Sequence, residues 1–332
     1  MTSPTAPSGP FEPETVATSP APLTLTPTQW RRHADEHAAH ADALTAAHRA
    51  RRATGEKHPV EDFLYEYYAL KPAALRRWHP GAGVRLAPGP DGPAPHAAWR
   101  WYTTDDDHAV GLDLDAYLAD RAGTVRYVRD LLVATAARPA HLGCLGLHEW
   151  AMVYRQDDVG RRHALPLRLG REGTDAVVER HAIRCSHFDA FRFFTPEATG
   201  RNALQPTRET QPAMEQPGCL HATMDLLKWS LKLGPLVPGD VLLEAFRLAS
   251  DVRRLDMQAS PYDVSALGEP VVAVETPEGK AEYVRRQRAF SERAAPLRAR
   301  LADLCGTAVG GDRPAPQPSS PATPVRIGVA SQ

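Results

Sequence analysis

Pro217-Gly218-Cys219-Leu220-His221-Ala222-Thr223-Met224-Asp225-Leu226-Leu227-Lys228-Trp229 opens on a proline–glycine break and then reads as an uninterrupted helix. On that helix His221 and Asp225 stand one turn apart, so an imidazole and a carboxylate share a face. The same ingredients recur upstream. Cys144 precedes His148, which has Glu149 beside it, and Cys185 precedes His187, with Asp189 two residues on. Cys219 and His221 complete the third set. Residues 142–231 are therefore the centre of the chain, where several elements bring thiols, imidazoles and carboxylates together. If Ile183–Asp189 is extended, a period of two puts Cys185, His187 and Asp189 on one face. If it is helical, Cys185 and Asp189 still share a face and His187 does not.

Bulk properties narrow the function classes. With 332 residues, 42% of them hydrophobic, the chain can bury a substantial core. Its formal net charge of −1 supplies no global field for a polyanion or an anionic membrane, so any nucleic-acid contact must be a local patch. No run approaches the roughly 18 apolar residues that span a bilayer, and the N-terminus has Ser, Thr and Pro where a signal peptide has charged and apolar regions. A cytoplasmic protein without a membrane partner is expected. The four cysteines contain no Cys-x-x-Cys pair and remain available as ligands, nucleophiles or core.

Outward from the centre, residues 1–24 and 306–332 have the Pro, Ser, Thr and Ala composition of disordered tails. Thr26-Pro27-Thr28-Gln29 is a capping box that starts a helix over 25–55, and its scarce apolar periodicity predicts an exposed arm. Residues 56–305 form one globular domain. Helices are predicted over Leu114–Ala137, Val241–Leu255 and Glu282–Leu304. Strands are predicted at Trp99–Tyr102, Val110–Leu114, Leu165–Leu169 and Val271–Glu275, with Asp105-Asp106-Asp107 as the turn between the first two. Asp256–Asp263 reads as an irregular segment on a cleft rim, and Cys305 as packing. The fold class is α+β, a predominantly helical single domain with a few short strands.

Thiolate, imidazole and carboxylate are the ligands of zinc and also serve iron. His148, Glu149, His187 and His221 are candidate metal ligands, joined by Cys185, Cys219 or the carboxylates Asp189 and Asp225. A cysteine activated by its neighbouring histidine is another reading. For acid–base work or stabilisation of a forming cation the candidates are Asp225, Asp189, His221, His187 and Glu149. For substrate they are Trp150, Tyr154, Phe188 and Tyr262 as aromatic surfaces, with Arg184, Arg192 and Lys228 as cations. One function that follows from these residues is a metal-dependent enzyme acting on a small molecule.

Several strings carry a resemblance that covers about residues 57–290. They include His58-Pro59-Val60-Glu61-Asp62-Phe63-Leu64, Leu75-Arg76-Arg77-Trp78-His79-Pro80-Gly81 and Gly146-Leu147-His148-Glu149-Trp150-Ala151-Met152-Val153-Tyr154-Arg155. Cys185-Ser186-His187-Phe188-Asp189-Ala190-Phe191-Arg192-Phe193-Phe194, Gln216-Pro217-Gly218-Cys219-Leu220-His221 and Ala259-Ser260-Pro261-Tyr262-Asp263 belong with them. Together they resemble a bacterial family known as 3-methyladenine DNA glycosylases, outside the helix-hairpin-helix class. The resemblance implies a DNA partner and hydrolysis of the N-glycosidic bond of alkylated purines such as 3-methyladenine. It implies Asp225 or Asp189 beside the sugar and Trp150 or Phe188 stacked on the base. The glycine-rich hairpin of the helix-hairpin-helix enzymes has no counterpart, Leu236-Val237-Pro238-Gly239-Asp240 lacking the second glycine, so no catalytic residue is carried over by motif.

Overall fold

A computed structural model describes residues 23–156 and 165–310. The chain opens with strand β1 (Leu23–Leu25) and helix α1 (Pro27–Thr54). Thr26 and Gln29 close the expected capping box: the Thr26 amide donates to Gln29 Oε1 at 2.8 Å, and Thr26 Oγ1 accepts from the Gln29 amide. Short helices α2 (Phe63–Tyr67) and α3 (Pro72–Arg76) follow. Strands β2 (Val84–Leu86), β3 (Tyr102–Thr104) and β4 (Val110–Leu112) complete a sheet of order β1-β2-β4-β3, with β1 parallel to β2 and the other pairs antiparallel. The Asp105–Asp107 turn joins β3 to β4, and Asp105 Oδ1 holds it by accepting from the Ala109 amide at 2.8 Å. Trp30, Leu86, Tyr102 and Val110 make a small core between this sheet and the start of α1.

The main core is helical. Helix α4 (Leu114–Ala136) is followed by the short α5 (Leu147–Ala151), α6 (Gly170–Arg180), α7 (Phe188–Phe191), α8 (Pro196–Thr199) and α9 (Gln211–Met214). Then come α10 (Leu220–Leu233), α11 (Gly239–Gln258) and α12 (Pro277–Ala308). α10 packs on α11, α12 and α4, and α12 also covers α4 and α11. The result is a predominantly helical α+β domain. α10 sits in its middle, buried on nearly every side from Leu220 to Leu227. No described helix is long and apolar enough to cross a membrane.

Several expectations need correction. The expected arm is packed: Trp30, His37, Ala41 and Thr45 form a buried stripe on α1, which contacts α3 and α11. Apolar periodicity misses this stripe because two of its four members are polar and satisfied internally. His37 Nε2 bonds Leu75 O at 2.9 Å, and Thr45 Oγ1 donates to Ala41 O at 2.8 Å. The tails are shorter than expected at both inner ends, since Leu23–Leu25 pairs with β2 and α12 runs on to Ala308; the remainder of both lies outside the described residues. The first predicted strand starts only at Tyr102. Val271–Glu275 is not a strand: its β-branched residues anchor Val272 and Val274 in the core, but no strand lies alongside. Leu165–Leu169 and Ile183–Asp189 contribute only isolated bridges, Leu167 to Tyr262 and Ile183 to Asn202.

Asp62 pins the far end of α1 to the domain. Its carboxylate accepts from Arg51 Nη2 at 2.6 Å, from the His58 amide at 2.8 Å and pairs with His48 Nδ1 at 2.9 Å. Burial alone would raise its pKa, but Arg51, His48 and the His58 amide together hold it down at about 2. A depressed carboxylate stabilises the fold above its unfolded pKa, and that contribution disappears as pH falls through the folded value. Asp62→Asn should therefore cost about 1.5–3 kcal/mol in urea unfolding at pH 7. The difference from wild type should shrink between about pH 4 and pH 2; a pH-independent difference would contradict this role.

Candidate metal centre

Three histidines from three elements meet beneath α12. His148 lies on α5, His187 on the extended segment before α7, and His221 at the start of α10. The chain reaches α5 through two successive left-handed residues, Leu145 (φ +52°) and Gly146 (φ +68°). For leucine this conformation costs about 1–3 kcal/mol, so the surrounding packing must hold it. At the other side, Gln216 clamps the 140–143 loop: its side chain accepts from the His141 amide at 2.8 Å and donates to His141 O at 3.2 Å. Gly218 admits this approach, since a Cβ there would lie 2.8 Å from His141 O. From α12, Gln287 donates to Gly218 O at 2.7 Å and Ser291 to Pro217 O at 2.9 Å, which fixes where α10 begins.

His148 Nε2 bonds Asp256 Oδ1 at 2.9 Å, and the Cys144 sulfur lies 3.7 Å from Nδ1. Arg253 Nη1 donates at 3.0 Å to both Asp256 and Glu149, while its guanidinium covers the Phe63 ring at 3.9 Å. The His221 ring lies between the other two, 4.5 Å from His148 edge-on and 5.3 Å from His187 stacked. His187 Nε2 is 3.3 Å from Glu215 Oε1 and 3.4 Å from Asp225 Oδ2. Neither contact is aligned as a hydrogen bond, and neither His187 ring nitrogen has a hydrogen-bond partner among the described residues, although the side chain is wholly buried. Asp225 is held from outside by the Tyr68 hydroxyl at 2.9 Å and Lys228 Nζ at 2.7 Å. Lys228 also donates to Asp189 at 2.6 Å, and Asp189 meets Arg192 and Arg208 at the rim. Two donor sets result, His148/His221/Asp256 and His187/Glu215/Asp225, each with donor atoms within 4.8 Å of one another.

The electrostatics differ across the three rings. Burial opposes charge on His148, but Asp256 and Cys144 hold its pKa well above the ordinary histidine value. For His187, burial is likewise outweighed, by Asp225 and Glu215, and the pKa rises to about 9. His221 goes the other way, pushed well down by burial and by its two histidine neighbours. Burial would raise Asp225, but Lys228 and His187 pull it below the ordinary carboxylate range. Asp256, similarly opposed by burial, is held at about 2 by His148 and Arg253.

The sequence candidates fall into three groups. His148, His187, His221 and Asp225 are in the donor sets, with Glu149 and Asp189 adjoining as ion-pair partners of Arg253 and Lys228. Cys185 and Cys219 are in neither set. Burial pushes Cys185 up to about 12 and Cys219 well above its ordinary value, which disfavours the thiolate a nucleophile or ligand needs. The expected one-turn pairing of His221 with Asp225 is replaced by the bonds of Asp225 to Tyr68 and Lys228.

Trp150, Tyr154 and Tyr262 are core residues with rings covered, Trp150 donating to Ala259 O and Tyr154 to Glu179; none presents a face on which a base can stack. Phe188 is half-buried beneath Arg208, and Arg192 is paired with Asp189. Arg184 is exposed.

Sequence reasoning missed Glu215, Asp256, Arg253 and Tyr68. The sequence places Asp256 on a rim loop, whereas α11 continues to Gln258 and buries it one turn from Arg253. That i,i+3 acid–base pair was the available signal. No local pattern marks Tyr68, which reaches Asp225 from 157 residues away. No family model matches the chain, and neither the curated proteins nor the solved structures contain a match to it.

Removing the Arg253 charge leaves Glu149 and Asp256 buried without their shared cation. Arg253→Met should lose about 3–5 kcal/mol in denaturant unfolding. Wild-type stability in that variant would show that the α5–α11 ion pair does not hold the site together.

Proposed function

We propose that the chain is a metal-dependent enzyme acting on a small molecule, with a zinc or iron ion held by His187, Glu215 and Asp225. His187 is the observation that carries this reading: a fully buried imidazole with neither nitrogen hydrogen-bonded, facing two carboxylates from different elements. An N–H···O bond settles near about 2.9–3.0 Å. Donors around a tetrahedral ion, at bonds of about 2.0–2.2 Å, sit about 3.3–3.6 Å apart. The separations of 3.3 and 3.4 Å match the second geometry. One imidazole and two carboxylates suit zinc or ferrous iron, and the cysteines lie outside the donor set.

When bound, such an ion supplies Lewis acidity and a more acidic water. The chain's own groups do the rest. Tyr68 and Lys228 fix the orientation of Asp225, leaving it turned toward His187. His221, kept neutral by burial and by its two histidine neighbours, adds no further positive charge beside the ion. The same reading places the enzyme in the cytoplasm, where its four free thiols stay reduced.

Protein purified without chelator should contain about one zinc or iron per chain by elemental analysis. His187→Ala and Glu215→Gln should each reduce that content at least about tenfold and abolish the fall in thermal midpoint that chelator causes in wild type. Folded wild-type protein with no stoichiometric metal and no thermal response to added ions would overturn the proposal.

A second reading, DNA repair by release of alkylated bases such as 3-methyladenine, draws on the family resemblance and on one feature of the surface. A cavity of about 490 Å³ beside Asp189 and Asp225 is lined by Tyr127, Trp229, Arg208, Lys228 and Lys232. Aromatic faces interleaved with cations suit a base and its phosphate. Under this reading, incubation with methylated duplex DNA releases 3-methyladenine, and Asp189→Asn slows release at least about 100-fold. No base release from metal-replete protein would set the glycosylase reading aside.

A further inference from the structure

On the other side of the cluster a cavity of about 380 Å³ opens to solvent. Its polar wall consists of Arg138, His141, Cys144, Arg184, Ser186 and Gln216, and no acidic side chain among the described residues lines it. Leu142, Leu204, Ala213 and Met214 supply an apolar wall. In a chain with 40 acidic and 39 basic residues, a cavity with two arginines and no carboxylate is a local departure from the average surface. Nor are those arginines neutralised by ion pairs. Arg184 makes no hydrogen bond or ion pair with any described residue, and Arg138 Nη1 donates only to backbone carbonyls, Ala134 O at 3.0 Å and Glu215 O at 2.9 Å. Arg155, Arg168, Arg192 and Lys228, by contrast, are all paired with carboxylates.

The cavity also adjoins the histidine cluster. The Cys144 sulfur lies 3.7 Å from His148 Nδ1, and Ser186 and Gln216, which line the cavity, are the chain neighbours of His187 and Glu215. Arg138 ties the backbone of Glu215 itself to the cavity wall. The geometry points to this cavity as the substrate pocket of the proposed metal centre, and to its substrate as a small organic acid with a carboxylate or phosphate on an apolar body. The role as substrate pocket rests on the metal-enzyme reading; the preference for an acid rests on the cavity alone. Arg184 receives the oxyanion, the apolar wall takes the hydrocarbon part, and the end near Cys144 and Ser186 faces the histidines.

Cys144 makes the test direct, because it lines the cavity while the other three cysteines are buried. Its alkylation by iodoacetate, an anion, and by neutral iodoacetamide is followed by mass spectrometry, and the ratio of rates is divided by that for glutathione. In wild type the normalised ratio should exceed one by about fivefold or more. Arg184→Lys should keep the preference, whereas Arg184→Glu should bring it to one or below. 4-Phenylbutyrate should protect Cys144 where its neutral amide does not. Protection by inorganic phosphate as strong as that by 4-phenylbutyrate would assign the headgroup as phosphate. A normalised ratio of one in wild type, a ratio unmoved by Arg184→Glu, equal protection by acid and amide, or no labelling of Cys144 in folded protein would each overturn the proposal. Both metal-loaded and chelator-treated protein are assayed, with metal content measured. Absence of the preference at one metal per chain removes the pocket and leaves the centre. Its presence in protein that never binds metal removes the centre and leaves an acid-binding cavity.

Discussion

Five of the six carboxylates buried among the described residues, Glu149, Asp189, Glu215, Asp225 and Asp256, set the terms on which this domain folds. Each loses several kcal/mol of hydration on entering a helical core, a cost that only well-placed cations and donors offset. Arg253 serves Glu149 and Asp256 together, and Lys228 serves Asp189 and Asp225 together. His148 adds a second cation beside Asp256. Glu215 differs: its carboxylate accepts from the Gln211 side-chain amide and lies 3.3 Å from His187, too far for a good hydrogen bond, while Arg298 and Arg138 act on it only at longer range. The least conventionally satisfied part of the network is therefore the part with the donor separations of a metal site.

The long helices arrange themselves around that network. α10 passes through the middle carrying His221, Asp225 and Lys228, and it can be buried on nearly all sides because its polar residues find partners inside the protein. α11 brings Arg253 and Asp256 against α5, while α12 closes the cluster and fixes the Pro217–Gly218 turn through Gln287 and Ser291. The small sheet and α1 stand apart from the chemistry and stabilise one flank, with Asp62 joining the end of α1 to the start of the main domain.

Much of this was legible where a local rule applied. The Thr26–Gln29 cap, the Asp105 turn, the Pro217–Gly218 break and the three histidines are all short-range patterns, and the structure contains each feature. What escaped reading was long-range. Asp256 and Glu215 became site residues only when α11 and the turn after α9 were brought beside histidines from 108 and 28 residues away. The cysteines mostly pack: Cys185, Cys219 and Cys305 are buried, and Cys144 lines a cavity. Val271–Glu275 shows the opposite error, since β-branched residues announce extended backbone but not a partner strand.

The most direct measurement is anomalous diffraction at the zinc and iron edges from crystals of protein purified without chelator. The account predicts one strong anomalous peak about 2.0–2.2 Å from His187 Nε2 and from a carboxylate oxygen of both Glu215 and Asp225. A well-ordered His187 hydrogen-bonded to Glu215 or Asp225 at about 2.8 Å, with no anomalous peak nearby, would contradict it.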